Sequence, residues 1–373
     1  MNILIIGPFP DPITGQSIAN ETLYQGLKER EYKVDYINTN FYEKLTDKKL
    51  QGKFDIKKIY IVLKKSFKEI KKIWCGNYDV IYTTPGGSFL GFSRFYHYFI
   101  LSFLLKKKIL IHIHNGVFRK MYDSQNDFNK KLINIILRRA SGIIVLGNSL
   151  KSMFKDLVEE NKIFVCENGV QDYVIATEKE IEEKFERFNR NKKRKILYLS
   201  NLMKEKGILE VLKVSEKFNE EEIEFNLAGA IEPEIKEKVE EYLKKYPDKL
   251  IYHGIVNGEK KKELLLENDI FILPSWDEGQ PISILEAYIT GCTVITDENI
   301  GGIKDIFQNK VNGISCVARD IENIYLTIKK IKDDNSFIKS NYKYGIENFK
   351  KENFVRRIEK IIIKKEVKNE NKE

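Results

Sequence analysis

Glu278 and Glu286, with seven residues between them, stand in the stretch of the chain richest in chemically useful side chains: Leu273-Pro-Ser-Trp-Asp-Glu-Gly-Gln-Pro-Ile-Ser-Ile-Leu-Glu-Ala287. Asp269–Leu273 reads as a strand, Pro274-Ser275 ends it, Gly279 and Pro281 shape a loop, and a helix begins near Ser283. Glu278 then lies in the loop and Glu286 in the first turns of the helix. Backbone N–H groups from Gln280 to Ile284 are unpaired donors at the positive end of that helix, which suits an anion. Two carboxylates repel a phosphate but grip hydroxyls, such as those of a ribose and a sugar. Taken singly, each glutamate reads as a solvated charge; the pair in this setting carries the chemistry. Lys206-Gly207, after the strand-like Lys195–Ser200, adds a cation just ahead of a helix.

These residues need a frame to hold them. Strand-like runs occur at Ile3–Gly7, Lys33–Ile37, Val80–Thr83, Ile109–His114, Gly142–Leu146 and Ile163–Cys166. They resume at Lys195–Ser200, Glu224–Ala228, Leu250–His253, Asp269–Leu273, Thr293–Thr296 and Gly313–Cys316. Helix-length segments such as Ser17–Arg30, Lys204–Phe218 and Lys260–Glu267 lie between them. Near-continuous apolar strands alternating with helices predict parallel sheets covered on both faces. The chain has 373 residues, enough for two such blocks. The expected division is an N-terminal domain over 1–173, a charged helix or linker over 174–194, and a second domain over 195–345. The segment Ser336–Lys365 is helical in pattern, and 346–373 is expected to cross back onto the first domain.

Composition and missing motifs narrow the chemistry. The chain is 42% hydrophobic and 32% charged, which fits an ordered globular protein. No G-x-G-x-x-G, P-loop, H-E-x-x-H, Asp-x-Asp or G-x-S-x-G occurs, which weakens dehydrogenase, ATPase, metalloprotease and hydrolase readings. No metal is expected. The longest apolar stretch, Phe95 to Leu105, is too short to span a bilayer. With no basic region ahead of Ile3–Ile6, a cleaved secretory signal is not expected, and a cytoplasmic location follows. Cys75, Cys166, Cys292 and Cys316 form no C-x-x-C pair and read as reduced, buried thiols. Residues 1–170 hold 27 Lys and Arg against 16 Asp and Glu, so the net charge of +9 resides in the first half. A basic half attracts something anionic, or reflects a lysine-rich composition.

The block from Pro274-Ser275 through Glu278, Glu286 and Gly291 to Gly301-Gly302 resembles the E-x7-E signature of family 4 retaining glycosyltransferases. The likeness extends along most of the chain: Pro12-Ile-Thr-Gly15-Gln16, Ile113-His114-Asn115-Gly116, Asn168-Gly169-Val170, Tyr198 to Gly207, Phe225-Asn-Leu-Ala-Gly229 and Tyr252-His-Gly254 follow in the family's order. The resemblance implies a GT-B fold, two Rossmann-like domains facing across a cleft. It implies transfer of a hexose-type sugar, with retained configuration, from a UDP- or GDP-sugar to a glycan or lipid-linked acceptor. The setting is bacterial surface polysaccharide: capsule, O-antigen or lipopolysaccharide. Lys206 and the amides of Gly279, Gln280, Pro281–Ile282 and Ser283 would stabilise the leaving diphosphate in place of a metal. Glu278 would hold the donor sugar, Glu286 the ribose, and His114 the donor sugar or acceptor. Gly15 and Gln16 would approach the phosphates. The family usually has Arg where this chain has Asn201, so Lys206 stands more alone there, or Lys204 helps.

Two other classes stay open on sequence alone. A nucleotide-sugar epimerase needs converging acid and base groups, against which the chain's four histidines argue. A non-catalytic sugar- or nucleic-acid-binding protein would use the basic half, but no nucleic-acid motif supports it, and no nucleic-acid partner is expected. Lys57–Ile73 has the pattern of an amphipathic basic helix suited to an anionic membrane surface, so peripheral attachment to the inner face of the cytoplasmic membrane is a further expectation.

Overall fold

A computed structural model describes residues 1–40 and 67–364. The chain divides into two compact units, Met1–Glu167 with Phe354–Glu373, and Asn168–Asn353.

The first unit holds β1 (Asn2–Gly7), β2 (Lys33–Asn38), β3 (Val80–Thr83), β4 (Lys108–Ile113), β5 (Gly142–Val145) and β6 (Ile163–Val165), in the order β2-β1-β3-β4-β5-β6. Every pairing is parallel. Alternate residues of β1 enter different cores, as the pleat requires. Leu4 and Ile6 join Ile81, Ile111 and Phe92 on one face; Ile3 and Ile5 join Tyr82, Leu110 and Ile144 on the other. The second of these cores is closed by Phe354, Val355, Ile358, Ile361 and Ile362, all buried. They come from the helix Lys351–Ile363. Gly26 makes this packing possible, because a Cβ there would lie 2.3 Å from Val355 Cγ2.

The second unit holds β7 (Arg194–Leu199), β8 (Ile223–Ala228), β9 (Leu250–Tyr252), β10 (Ile270–Leu273), β11 (Thr293–Thr296) and β12 (Gly313–Ser315), again all parallel, in the order β12-β11-β10-β7-β8-β9. All twelve strands lie within a residue or so of their expected limits at either end.

Other boundaries move. The change of unit falls at Asn168, ahead of the expected 173, because Val170 and Val174 are buried in the second unit's core. Most of the charged segment 174–194 is the helix Glu178–Arg190, started by a capping box of Thr177 and Glu180. Its Ile181 and Phe188 pack with Ala176 and Ile338, so it is a packed element of the second unit. The segment Ser336–Lys365 is two helices, Ser336–Asn348 and Lys351–Ile363, with Phe349 as the C-cap of the first. Residues 67–75 are helical; the rest of the expected amphipathic helix, 57–66, lies outside the described residues. Cys75 is exposed on that helix, contrary to the expectation of burial, while Cys166, Cys292 and Cys316 are buried.

Candidate active site

In the second sheet, the chain leaves β7 toward β8 on one side, while β10 on its other side leads to β11. Loops leaving two such neighbours diverge at their carboxyl ends and open a crevice there, the usual ligand position in open α/β sheets. Lys206 follows β7 and Glu278 follows β10, so the two motifs meet at this switch point.

The two loops are fastened together at one backbone oxygen. Ser275 Oγ donates to Glu205 O at 2.9 Å, and Trp276 N donates to the same oxygen at 3.0 Å. Gly207 has φ +74°, and a Cβ there would lie 2.3 Å from Pro274 O. Only glycine permits both the left-handed backbone and that approach. The loop thereby delivers Lys206 to Glu278: Nζ lies 2.8 Å from Glu278 Oε1 and donates to Asp277 O at 2.8 Å.

Glu278 is buried. Its pKa is raised, because loss of water outweighs the opposing pull of Lys206 and of a hydrogen bond from Ser275. The loop is braced from behind by Gly301, where φ is +52° and a Cβ would lie 1.8 Å from Glu278 O. Gly302 N donates to Gly279 O at 2.6 Å.

The helix Ile282–Ile289 follows, with Pro281 at its N-cap and no side chain capping it. Gly279 and Ser283 are half-buried, and Ile282 is buried. Gln280 is turned to the framework: its Oε1 accepts from Asn168 N at 2.7 Å. Glu286 is buried within the helix and paired with a residue the sequence reading passed over, Lys261 of the helix Gly258–Glu267, at 2.6 Å. A signal for Lys261 existed, because it shares a face with Leu264 and Leu265, the buried side of that helix. Asn201 is exposed, with its carbonyl accepting from Tyr198 Oη at 3.2 Å. Lys204 does not join Lys206; it lies 3.4 Å from Glu234.

The first unit places Gly15, Gln16 and His114 at the carboxyl edge of its own sheet. Its switch point lies between β1 and β3. Gly15 opens the helix Gly15–Glu29 beyond the cap Thr14, and Gln16 Nε2 donates to Thr84 O, just past β3, at 2.5 Å. A Cβ on Gly15 would meet nothing within 4 Å, so the chain itself does not demand glycine there. His114 lies one residue past β4, its ring 4.0 Å from that of His112. His112, on the same strand face, supports His114 and is itself held by Tyr82 Oη at 2.5 Å from Nδ1. Burial pushes the His114 pKa down to about 3, so the ring is neutral, and its buried Nε2 has no hydrogen-bond partner among the described residues. No group of three or more His, Cys, Asp or Glu among the described residues is placed to hold a metal ion.

Residues 179–352 match the family model described as glycosyl transferases group 1. An uncharacterised glycosyltransferase of Methanocaldococcus jannaschii is 26% identical over 220 residues, 56% of this chain and 54% of that protein. The UDP-Gal:alpha-D-GlcNAc-diphosphoundecaprenol alpha-1,3-galactosyltransferase of Escherichia coli is 33% identical over 100 residues, 26% of this chain and 25% of that protein. The chain thus spans about half or less of the length of these two relatives. Among solved structures, Anabaena HepE in complex with UDP superposes with a TM-score of 0.73 at 15% identity, covering 97% of this chain and 99% of that one. At that identity the likeness establishes the fold, GT-B, with its two parallel α/β sheets.

Proposed function

From a chain whose residues 179–352 match the glycosyl transferases group 1 model and whose fold is GT-B, we infer a retaining enzyme that moves a hexose-type sugar. The donor is a UDP- or GDP-sugar and the acceptor a glycan or lipid-linked glycan of bacterial surface polysaccharide. The observation that carries this reading is the Lys206–Glu278 pair, 2.8 Å apart, beside an uncapped helix at the switch point of the second sheet. The UDP bound to HepE and the polyprenol-linked acceptor named for the Escherichia coli relative support a UDP-sugar and a lipid-linked acceptor.

In this mechanism the bond between the anomeric carbon and the diphosphate oxygen breaks, and its electron pair stays on the diphosphate. The acceptor oxygen bonds to the same face of that carbon, and its proton passes to the departing phosphate oxygen. Lys206 and the N–H groups of Ile282 and Ser283, ahead of the Ile284 N–H that donates to Pro281 O at 3.1 Å, stabilise the growing charge without a metal. Lys206 starts on Glu278, so a bound diphosphate draws the cation away from a carboxylate that is then free to accept from sugar hydroxyls. Glu286 accepts from the ribose. In the first unit, Gly15 and Gln16 serve the phosphates. His114, being neutral, offers the donor sugar or acceptor a hydrogen-bonding nitrogen and no charge.

The test is release of nucleoside diphosphate with a panel of UDP- and GDP-sugars and lipid-linked glycans. One donor is expected to turn over only when acceptor is present. E286Q is expected to lose turnover by about tenfold or more when assayed below its melting transition, and to melt lower than the wild type, because it strips the buried Lys261 of its counter-charge. Donor isomerised without any acceptor would show an epimerase instead.

One further observation bears on the acceptor. On the helix over 67–75, Phe67, Ile70 and Trp74 are 70%, 36% and 62% exposed, with exposed Lys68 and Lys71 beside them. Aromatic residues edged with lysine suit the surface of an anionic bilayer. No described helix is long and apolar enough to cross a membrane. Co-sedimentation with phosphatidylglycerol vesicles, lost in F67S/W74S and absent with phosphatidylcholine, is the expected result.

A further inference from the structure

We propose that Lys261 is a positioning residue for nucleotide recognition: it fixes the Glu286 carboxylate so that one oxygen is presented to the ribose of the donor. The proposal rests on the assignment of Glu286 to the ribose. Lys261 is 5% exposed, on the inner side of the helix Gly258–Glu267, and its ammonium donates to Glu286 Oε1 at 2.6 Å. Tyr173 lies beneath it, with Nζ 5.8 Å from the ring centroid.

A lysine in this place is costly. Removing both charges of a pair from water consumes most of what their attraction returns, and apolar residues of similar size commonly do as well or better. Leu264 and Leu265 beside it show what the same helix face otherwise carries. Stability alone therefore does not account for Lys261; its effect on its partner does. Burial by itself lowers the lysine's pKa, but the attraction of Glu286, with help from Tyr173, holds it above the ordinary value. The pair is thus a fixed cation against a fixed carboxylate. Oε1 is taken by the lysine, and no described residue hydrogen-bonds Oε2. A carboxylate pinned at one oxygen loses the rotational freedom that would blur its contact with a ligand hydroxyl, and a site built to bond a hydroxyl discriminates against ligands that lack it.

The test compares calorimetric affinities for UDP and GDP with those for their 2′,3′-dideoxy forms. The wild type is expected to favour a ribonucleotide by at least about tenfold. K261M should bring that ratio near one while leaving affinity for the dideoxy form unchanged, and K261R should restore part of it. In turnover, K261M should raise donor KM more than it lowers kcat. A ratio as large in folded K261M as in the wild type overturns the proposal. If K261M does not fold, a K261R ratio identical to the wild type's with donor KM unmoved overturns it, and a reduced ratio supports it. A wild-type ratio near one is a different failure, since it removes the ribose assignment of Glu286 itself.

Discussion

At Glu278 burial and pairing pull in opposite directions, and burial wins. Because its pKa is raised in the folded chain, the folded state holds that proton more tightly than the unfolded chain does. Stability gained from the protonated form is complete below the ordinary glutamate value of 4.5 and is lost as pH rises through the folded one. The ionised carboxylate is therefore a burden at neutral pH. E278Q is expected to melt higher than the wild type at pH 8, with the gap narrowing toward pH 4, while turnover falls by about a hundredfold or more. Thermal melts across that range check the first part and nucleoside diphosphate release the second. A residue that weakens the fold and is kept for the reaction is common at active sites. Of the residues at this site, the motif members were readable from spacing. Lys261 was not read, because its partner lies on another helix and the apolar face it interrupts was too short to stand out.

Among the elements, glycines separate framework from ligand. Gly301 and Gly15 both flank proposed binding loops, but for opposite reasons. At Gly301 a side chain would strike Glu278 O at 1.8 Å in a left-handed backbone. G301A is expected to cost stability by about 1–3 kcal/mol and to displace the Glu278 loop, lowering melting temperature and turnover together. At Gly15 a methyl group meets open space, so G15A should leave the melting temperature unchanged or slightly higher. A loss of donor affinity in G15A then reports a ligand phosphate and nothing else. Melting temperature and donor KM for the two variants make the comparison. The strands were legible because buried parallel strands are continuous apolar runs bounded by turn residues, and Val80–Thr83 and Thr293–Thr296 were read to the residue. The helix Glu178–Arg190 was harder to read, since a surface of Glu and Lys hides the apolar positions Ile181, Phe185 and Phe188 that dock it.

For the whole molecule, the four histidines act alike. His97, His112, His114 and His253 all have lowered pKa values, burial being the first cause in each. Each binds a proton more weakly folded than unfolded, so in mild acid unfolding takes protons up. Stability is then present above the unfolded histidine value of 6.5 and falls as acid is added below it. Urea melts between pH 7.5 and pH 5 should show a falling midpoint, with a shallower fall in H112N/H114N. The division into two units was legible from the repeated strand pattern. Its placing was not, because Val170 and Val174 resemble any other apolar pair until the core they enter is known.

The return of Phe354, Val355, Ile358, Ile361 and Ile362 to the first core has a consequence in time. During synthesis, Ile3, Ile5 and Tyr82 emerge long before the helix that shields them. The second unit is complete in sequence by Asn353, while the first still lacks a wall. The half made first is thus the half finished last, and a nascent chain halted before Phe354 leaves greasy strands open to chaperones.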